Sequence, residues 1–320
     1  MDSTLLSVRN VTVEFALEYG VVRAIDNVSF DIAQGERVGL VGESGSGKSV
    51  IGQTVMGLVR PPGRIVKGEV LFGGVDLTRQ PPSHLDQVRG RRIALIPQDA
   101  TLALTPTLRI GKQMREVITR HLHLSDSEAE DRCVDTLRRV GLSDPPRIMR
   151  AFASELSGGM KQRVAIAIAL LCDPELLIAD DPTSAVDVTI QAQILQELRS
   201  LTETLGLSVL FITHDLRVVS AICSRVVVLY AGQVAEVIDA QELLTRARHP
   251  YTRALVECAP DVSHRITPLP TVPGAAPDGF TRITGCRFHP RCQRMVERCP
   301  TDVPSLEGDR HSFACWNPIP

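Results

Sequence analysis

No apolar run in this chain approaches the ~18 residues that a bilayer-spanning helix needs, so no transmembrane segment is expected. The start, Met1-Asp2-Ser3-Thr4, has neither the basic region nor the apolar core of a secretion signal. A soluble, cytoplasmic protein is the expectation, and any membrane role would run through a partner. Excess charge of either sign is missing too, the formal net charge being −2. With no long Lys/Arg cluster either, the electrostatic footprint of a nucleic-acid binder is absent, and no nucleic acid is expected as partner. No internal repeat is visible. What the 320 residues do supply is enough chain for one large or two smaller domains with an ample core.

The rest of the chain is arranged around Gly42-Glu43-Ser44-Gly45-Ser46-Gly47-Lys48-Ser49. An apolar run over 37–41 precedes it and a helix-like run over 50–56 follows. Strand, glycine-rich turn and helix form the context in which a G-x-x-x-x-G-K-[ST] match carries meaning. Glycines let backbone N–H groups turn inward with no Cβ in the way, and the helix N-terminus adds partial positive charge. Lys48 is expected at the β- and γ-phosphates of a nucleotide and the Ser49 hydroxyl on Mg²⁺. Gly42, Ser44, Gly45, Ser46, Gly47 and Val50 complete the expected cradle. A chance match in a glycine-rich turn is the dull alternative, and the flanking elements argue against it.

Ahead of the loop, Leu6, Val8, Val11, Val13 and Phe15 alternate with other residues, 28–32 reads as a strand and 33–36 as a turn. An antiparallel β-layer is therefore expected beside the phosphate-binding strand. Pro61-Pro62-Gly63 is expected to close the first helix, 69–72 with Gly73-Gly74 reads as a hairpin, and 92–97 as a buried strand. From Thr107 to about Ser154 the pattern turns helical. Ile110, Met114, Val117 and Ile118, then Ala129, Cys133, Leu137 and Val140, recur at helical spacing. Asp126 is the expected N-cap of the second run, with Gly141 beyond its end. Both stripes read as core. Strands follow at 176–179, 209–213 and 226–229, separated by helical runs that include Ile190, Ile194, Leu195, Leu198 and Leu201, with Gly206 as stop. That alternation predicts a parallel α/β sheet with a helical insert. Beyond Cys258 the periodicity fades, and Pro260, Pro268, Pro270, Pro273 and Pro277 mark a linker to a cysteine-rich end.

A phosphate loop alone names no function; the discriminating residues come later, in a fixed order. The apolar run 176–179 ends in Asp180, a carboxylate suited to Mg²⁺ or its water. Glu155-Leu156-Ser157-Gly158-Gly159-Met160-Lys161-Gln162-Arg163 puts a small polar turn at the head of an apolar helix, a second anion site of hydroxyl, bare glycine amides and helix dipole. Gln98, just past a buried strand, is placed to touch Mg²⁺ and the attacking water, and His214, at a strand end, to hold the γ-phosphate. Singly, a loop glutamine or a histidine after a strand is uninformative. In this order they are not.

These motifs resemble the ATP-binding-cassette ATPases, over residues 5–240. Walker A is Gly42 to Ser49, the Q-loop glutamine Gln98, the signature Leu156 to Met160, and Walker B ends at Asp180. Ser184-Ala185-Val186-Asp187 matches the D-loop and His214 the H-loop. Gly159-Met160-Lys161-Gln162-Arg163-Val164, His249-Pro250-Tyr251-Thr252-Arg253-Ala254-Leu255 and Gly285-Cys286-Arg287-Phe288-His289-Pro290-Arg291-Cys292 resemble the dipeptide/oligopeptide importer branch. The implied fold is an α/β ABC-type nucleotide-binding domain: a RecA-like parallel sheet core, an antiparallel β subdomain and a helical subdomain near 107–170. It spans 1–240, and a small irregular Cys-rich extension follows over 241–320. The resemblance also implies head-to-tail pairing of two such domains. ATP would lie between one chain's Walker A and the other's Ser157, Gly158, Gly159 and Gln162, with Asp187 at the same junction. Adenine would stack on an aromatic ahead of Walker A; spacing favours Tyr19, with Phe15 as rival.

One position departs from the family pattern. Where it usually carries a glutamate that polarises the attacking water, this chain has Asp181, one methylene shorter. A slow site on this chain is the expectation, with the partner's site, completed by the intact signature, carrying most turnover. In the tail, Cys286, Cys292, Cys299 and Cys315 are separated by five, six and fifteen residues. Reduced cytosolic thiols make disulfides the weaker reading, and four clustered cysteines suit a metal. Zinc usually shows a C-x₂₋₄-C pair, absent here, and four thiolates also suit a [4Fe–4S] cluster. The resemblance favours the iron–sulfur cluster over zinc or free thiols, with His289 and His311 as substitute ligands.

The resulting expectation is the ATP-hydrolysing subunit of a peptide importer, with Lys48, Gln98, Asp181 and His214 as catalytic residues. It would sit on the cytoplasmic face of the inner membrane, paired with a second ABC ATPase in a heterodimer. Two membrane permeases would hold it, and an extracytoplasmic substrate-binding protein would feed them. The rivals are an importer ATPase for nickel or another small solute, a soluble ABC ATPase of repair or translation, and a catalytically silent partner.

Overall fold

The computed structural model describes residues 4–183, 188–259, 271–280 and 283–320. They form two compact units, one of Met1–Arg79 with Phe211–Pro320 and one of Gln80–Leu210. Among the described residues no helix is long and apolar enough to cross a membrane.

The first unit opens with the expected antiparallel layer. Its four strands lie in the order Gly20–Ala33, Thr4–Leu17, Gly63–Phe72, Val75–Asp76. Leu6, Val8, Val11 and Val13 all face inward, at 3% exposure or less. The step from Val8 to Val11 is odd, and a period-two strand would turn Val11 to solvent. Asn10 resolves this in the left-handed region at φ 49°, an extra residue at a register shift. Asparagine tolerates that backbone better than most residues.

The second sheet of this unit runs Ser312–Phe313, Gln233–Asp239, Arg225–Tyr230, Arg37–Val41. Arg37–Val41 and Arg225–Tyr230 pair in parallel, Leu40 opposite Val227. Val38, Leu40, Val41 and Val226 to Leu229 are wholly buried, which is why these strands read as continuous apolar runs rather than alternations. Gly39 lets the helix Leu216–Ile222 close on the sheet, since a Cβ there would stand 2.9 Å from Val219 Cγ1. The first helix, Lys48–Val55, stops at Gly57 (φ 62°), earlier than the Pro61-Pro62 pair that suggested its end.

In the second unit the strands Ile93–Ile96 and Leu176–Asp180 pair in parallel, Ile96 opposite Ala179. The helical block holds Ile110–His121, Asp126–Arg139, Pro145–Arg150, Gly158–Leu170 and Val188–Leu205. Ile110, Met114, Ile118, Cys133 and Leu137 are buried as their spacing predicted. The cap differs by one residue. Ser125, not Asp126, is the N-cap, and with Glu128 it forms a capping box whose reciprocal bonds satisfy both ends of the turn. Asp126 sits in the first turn, where its charge favours the helix dipole. The strand Ser208–Ile212 runs across the boundary between the units.

The extension belongs to the first unit and corrects one expectation. No group of three or more His, Cys, Asp or Glu side chains among the described residues is placed to hold a metal ion. Cys286, Cys292, Cys299 and Cys315 are free. The iron–sulfur cluster, and zinc with it, is therefore set aside. Burial pushes the Cys286 thiol up to about 11 and raises Cys292 and Cys315 as well, which keeps them protonated. The substitute ligands are engaged elsewhere: His289 Nδ1 with the Cys286 carbonyl at 2.9 Å, and His311 Nε2 with Glu236 at 2.6 Å. Arginines order this segment instead. Arg298 lies 3.5 Å over the Trp316 ring, and Arg294 reaches Asn317 Oδ1 and the Pro318 carbonyl, each at 3.1 Å.

Buried Glu236 ties the following residues to the sheet, accepting N–H bonds from Arg248 at 2.7 Å and His249 at 3.1 Å. His249 is itself buried, with Nδ1 accepting the Tyr251 N–H at 3.1 Å, and burial depresses its imidazole to about 4. The unfolded chain binds that proton from about pH 6.5 downward and the fold refuses it until about 4. Stability is therefore lost as pH falls through that window, by an amount reaching roughly 3 kcal/mol for this one group. Urea unfolding at pH 7 and pH 4.5 should show that loss, and His249→Gln should abolish it. An equal loss in both proteins would place the acid sensitivity elsewhere.

Candidate functional site

The phosphate loop leaves the buried strand Arg37–Val41 and enters the helix Lys48–Val55. Gly42 has φ 153°, and a Cβ there would lie 2.2 Å from the Leu229 carbonyl oxygen. Gly47, the N-cap, has φ 102°, and a Cβ there would meet the Ala24 carbonyl oxygen at 2.5 Å. Both glycines are thus required by backbone geometry and by space. Behind the loop, the Gly232 N–H donates to the Ser46 carbonyl at 3.0 Å. Lys48 Nζ folds across the turn, donating to the Gly42 and Glu43 carbonyls at 2.8 and 2.9 Å. Its ammonium stands at the loop mouth, with the exposed Ser44, Gly45 and Ser49 beside it; Ser46 is buried and Val50 half-buried. Concentrated backbone N–H groups, a helix start and one ammonium make an anion cradle.

His214 belongs to the same unit. It is exposed, and the Thr213 N–H bonds the Leu40 carbonyl at 3.2 Å, tying it to the strand that feeds the loop. Asp215 caps the next helix through the Arg217 and Val218 amides. Tyr19 is 90% exposed at the tip of the hairpin between Leu17 and Gly20. Phe15 is half-buried, and its ring occupies the space over Gly63, where a Cβ would stand 2.6 Å from Cε1.

In the second unit, Gln98 and Asp180 lie at the same edge, because parallel pairing carries the C-terminal ends of their strands together. Gln98 is exposed, and Asp99 beside it caps the turn after it through the Thr101 amide at 2.7 Å. Asp180 and Asp181 are half-buried, and Asp181 is in the left-handed region at φ 45°. Ser157 caps the helix Gly158–Leu170, its Oγ accepting the Met160 N–H at 3.3 Å. Ser157 and Gly158 are exposed. Gly159 lets that helix approach Val188–Leu205, since a Cβ would stand 2.9 Å from Ile190 Cγ2. Gln162 is 1% exposed, and its Nε2 has no partner among the described residues. Arg163 beside it is held by the Val140 carbonyl at 2.7 Å and by Glu197. Asp187, with Ser184 to Val186, lies outside the described residues.

Three residues at the loop were not singled out by sequence. Glu43 accepts a two-pronged bond from Arg291, and its N–H donates to the Tyr251 hydroxyl at 2.8 Å. The only sequence signal was that Tyr251 and Arg291 stand inside two of the three wordings that resemble the importer branch.

Residues 25–184 match the family described as ABC transporter, and residues 235–299 match the one described as oligopeptide/dipeptide transporter, C-terminal region. The probable peptide ABC transporter ATP-binding protein y4tR of Sinorhizobium fredii is 42% identical over 98% of this chain and 94% of its own length. The oligopeptide transport ATP-binding protein AppD of Bacillus subtilis is 43% identical over 95% and 93%. Among solved structures, the dimeric ATP-binding cassette MJ0796 in a post-hydrolysis state bound to ADP and Pi is 29% identical. It superposes with a TM-score of 0.66 over 73% of this chain and 98% of its own. Cassette fold, phosphate cradle and whole-length likeness agree, and the chain belongs to the ATP-binding cassette (ABC) transporter family.

Proposed function

We propose that this chain is the ATP-binding subunit of an importer for di- or oligopeptides, coupling ATP binding and hydrolysis to uptake through membrane permeases. The observation that carries this is the pairing of an anion cradle built on Gly42 to Ser49 with a C-terminal region of the oligopeptide/dipeptide transporter type. The relatives named above are called peptide and oligopeptide ATP-binding proteins, over nearly their full lengths.

Residues 1–240 form the ATPase part in this reading and 241–320 the extension. Lys48 and the amides around Gly45 and Gly47 take the β- and γ-phosphates. Tyr19, open at its hairpin tip, takes the adenine in preference to Phe15, whose ring is committed to Gly63. Ser49, Gln98 and Asp180 are the oxygen ligands that suit Mg²⁺, which prefers carboxylate, hydroxyl, amide and water oxygens. The ion neutralises phosphate charge when bound. Asp181 orients the attacking water and His214 holds the γ-phosphate. Ser157, Gly158 and Gly159 serve the nucleotide of a paired cassette, with the buried Gln162 backing their turn, and Asp187 is assigned to the same nucleotide. That partner is a second, different ABC ATPase, because a short carboxylate at 181 leaves this chain's own site slow.

Within the second unit, Arg109, Lys112 and Arg150 line a groove with Leu108, Met149 and Phe152, the Arg109 guanidinium 5.2 Å over the Phe152 ring, while Arg115 in the same lining is already paired with Glu130 at 2.6 Å. Mixed apolar and cationic lining suits a protruding permease helix carrying acidic residues. The complex then sits on the cytoplasmic face of the inner membrane, with an extracytoplasmic binding protein delivering peptide. Uptake separates the readings. Vesicles holding the chain, its partner ATPase and both permeases should accumulate labelled dipeptide when ATP is inside, and not nickel. Nickel accumulation without dipeptide would move the assignment to the metal importers.

A further inference from the structure

The phosphate loop carries a carboxylate, Glu43, one residue past Gly42. An uncompensated negative charge at the mouth of a polyphosphate site would oppose its ligand. Glu43 is instead turned back and held. Arg291 Nη1 donates to Oε2 at 2.7 Å and Nη2 to Oε1 at 3.0 Å, a bidentate fork. The same guanidinium donates from Nε to the Pro273 carbonyl at 2.7 Å and from Nη1 to the Tyr230 hydroxyl at 3.3 Å. A further bond runs from Nη2 to the Val272 carbonyl, also at 3.3 Å. An arginine has five N–H donors, and here five acceptors meet them in a side chain 5% exposed.

A second contact reaches the loop from a different part of the extension: the Tyr251 hydroxyl accepts the Glu43 N–H at 2.8 Å. Tyr251, Tyr230 and Phe288 pack as one aromatic cluster, with ring centroids 4.5 to 5.4 Å apart. This fixes the hydroxyl that meets the loop. A third contact lies at the back, where Arg287 bonds the Ala231 carbonyl and Asp26. The neighbouring Gly232 N–H bonds the Ser46 carbonyl, and its carbonyl accepts the Asp26 N–H.

We infer that the C-terminal extension positions the phosphate loop, with Arg291 and Tyr251 acting through Glu43 to preorganise it for nucleotide. The inference rests on the reading that this loop binds ATP. Arg291 has two effects, withdrawing the Glu43 carboxylate from the phosphates and fixing the turn before ligand arrives. A loop held in its binding shape loses less freedom on binding. Arg291 and Tyr251 are positioning residues and touch no nucleotide themselves. The two subfamily wordings that looked unrelated to ATP chemistry thereby gain a physical role beside it.

Binding of trinitrophenyl-ATP to the full chain tests this as a double-substitution cycle. Arg291→Met should weaken binding about tenfold, the size expected when one charge-assisted fork is lost. In the Glu43→Gln background the same change should matter little, because the carboxylate it controls is gone. A purely structural arginine, holding residues 272 and 273 against the cluster, would give the same loss in both backgrounds. Equal losses, or no loss in either, would overturn the brace. Arg291→Lys keeps the charge and forfeits the fork, so it should show a smaller loss in the same direction. If the methionine variant fails to fold, that comparison with and without Glu43→Gln carries the decision. An unsubstituted chain that binds no nucleotide overturns the ATP-binding reading, and the brace with it. Unchanged affinity in the variants overturns the brace alone.

Discussion

Lys48→Ala is expected to lower ATP turnover of the assembled importer by about 10²–10³-fold, the loss that follows removal of one preorganised donor from a developing charge. Two effects combine. The ammonium is the one cation that the turn itself supplies, and it is held at the mouth by the Gly42 and Glu43 carbonyls. Its removal takes away a charge-assisted bond to the phosphates and also a strut across the turn. Arginine should not rescue it, because a planar fork cannot make the compact contacts of an ammonium to two carbonyls less than 3 Å away. Phosphate release and nucleotide affinity measured together on the assembled importer check this. Wild-type turnover in the variant would remove the loop from the chemistry.

Asp181→Glu is the second large effect, and it runs upward. The aspartate carboxylate stops roughly 1.5 Å short of where a glutamate would place it, and misplacement near 1 Å can cost about a hundredfold. The backbone there opposes part of the gain. Asp181 has φ 45°, a region that Asp and Asn occupy far more readily than Glu. A glutamate would pay roughly 1 kcal/mol for that conformation, which removes about a factor of five from the benefit. A rise of about twentyfold in turnover is the net expectation, whereas Asp181→Asn should abolish turnover at this site. If the glutamate variant hydrolyses ATP no faster, a bridging water already spans the gap and the shorter side chain is not limiting. The heterodimer argument would then lose its chemical basis.

Much of the architecture was legible because it follows local rules. The continuous apolar strands over 37–41 and 226–229 have the pattern of strands buried on both faces, and both are. The stripes through Ile110, Met114 and Ile118, and through Ala129, Cys133 and Leu137, lie inside, as the helical period requires. Boundaries were less legible. Ser125 won the N-cap over Asp126 because its hydroxyl and the Glu128 carboxylate satisfy each other's backbone partners, a pair of bonds that a single-residue preference does not register. The four tail cysteines misled because their spacing speaks to ligand count and not to environment. Burial and an arginine framework decide what they are.

By itself, then, the amino-acid order determined the phosphate loop, the strand and helix on either side of it, and the succession of motifs that marks the family. Each depends on residue type and short spacing alone. Only the tertiary structure decided which groups stand behind that loop. Glu43 and Arg291 are 248 residues apart, and Glu43 and Tyr251 are 208 apart. No periodicity or propensity reaches across such distances. The path of the folded chain brings that carboxylate to a guanidinium whose remaining donors are already taken up by neighbouring oxygens.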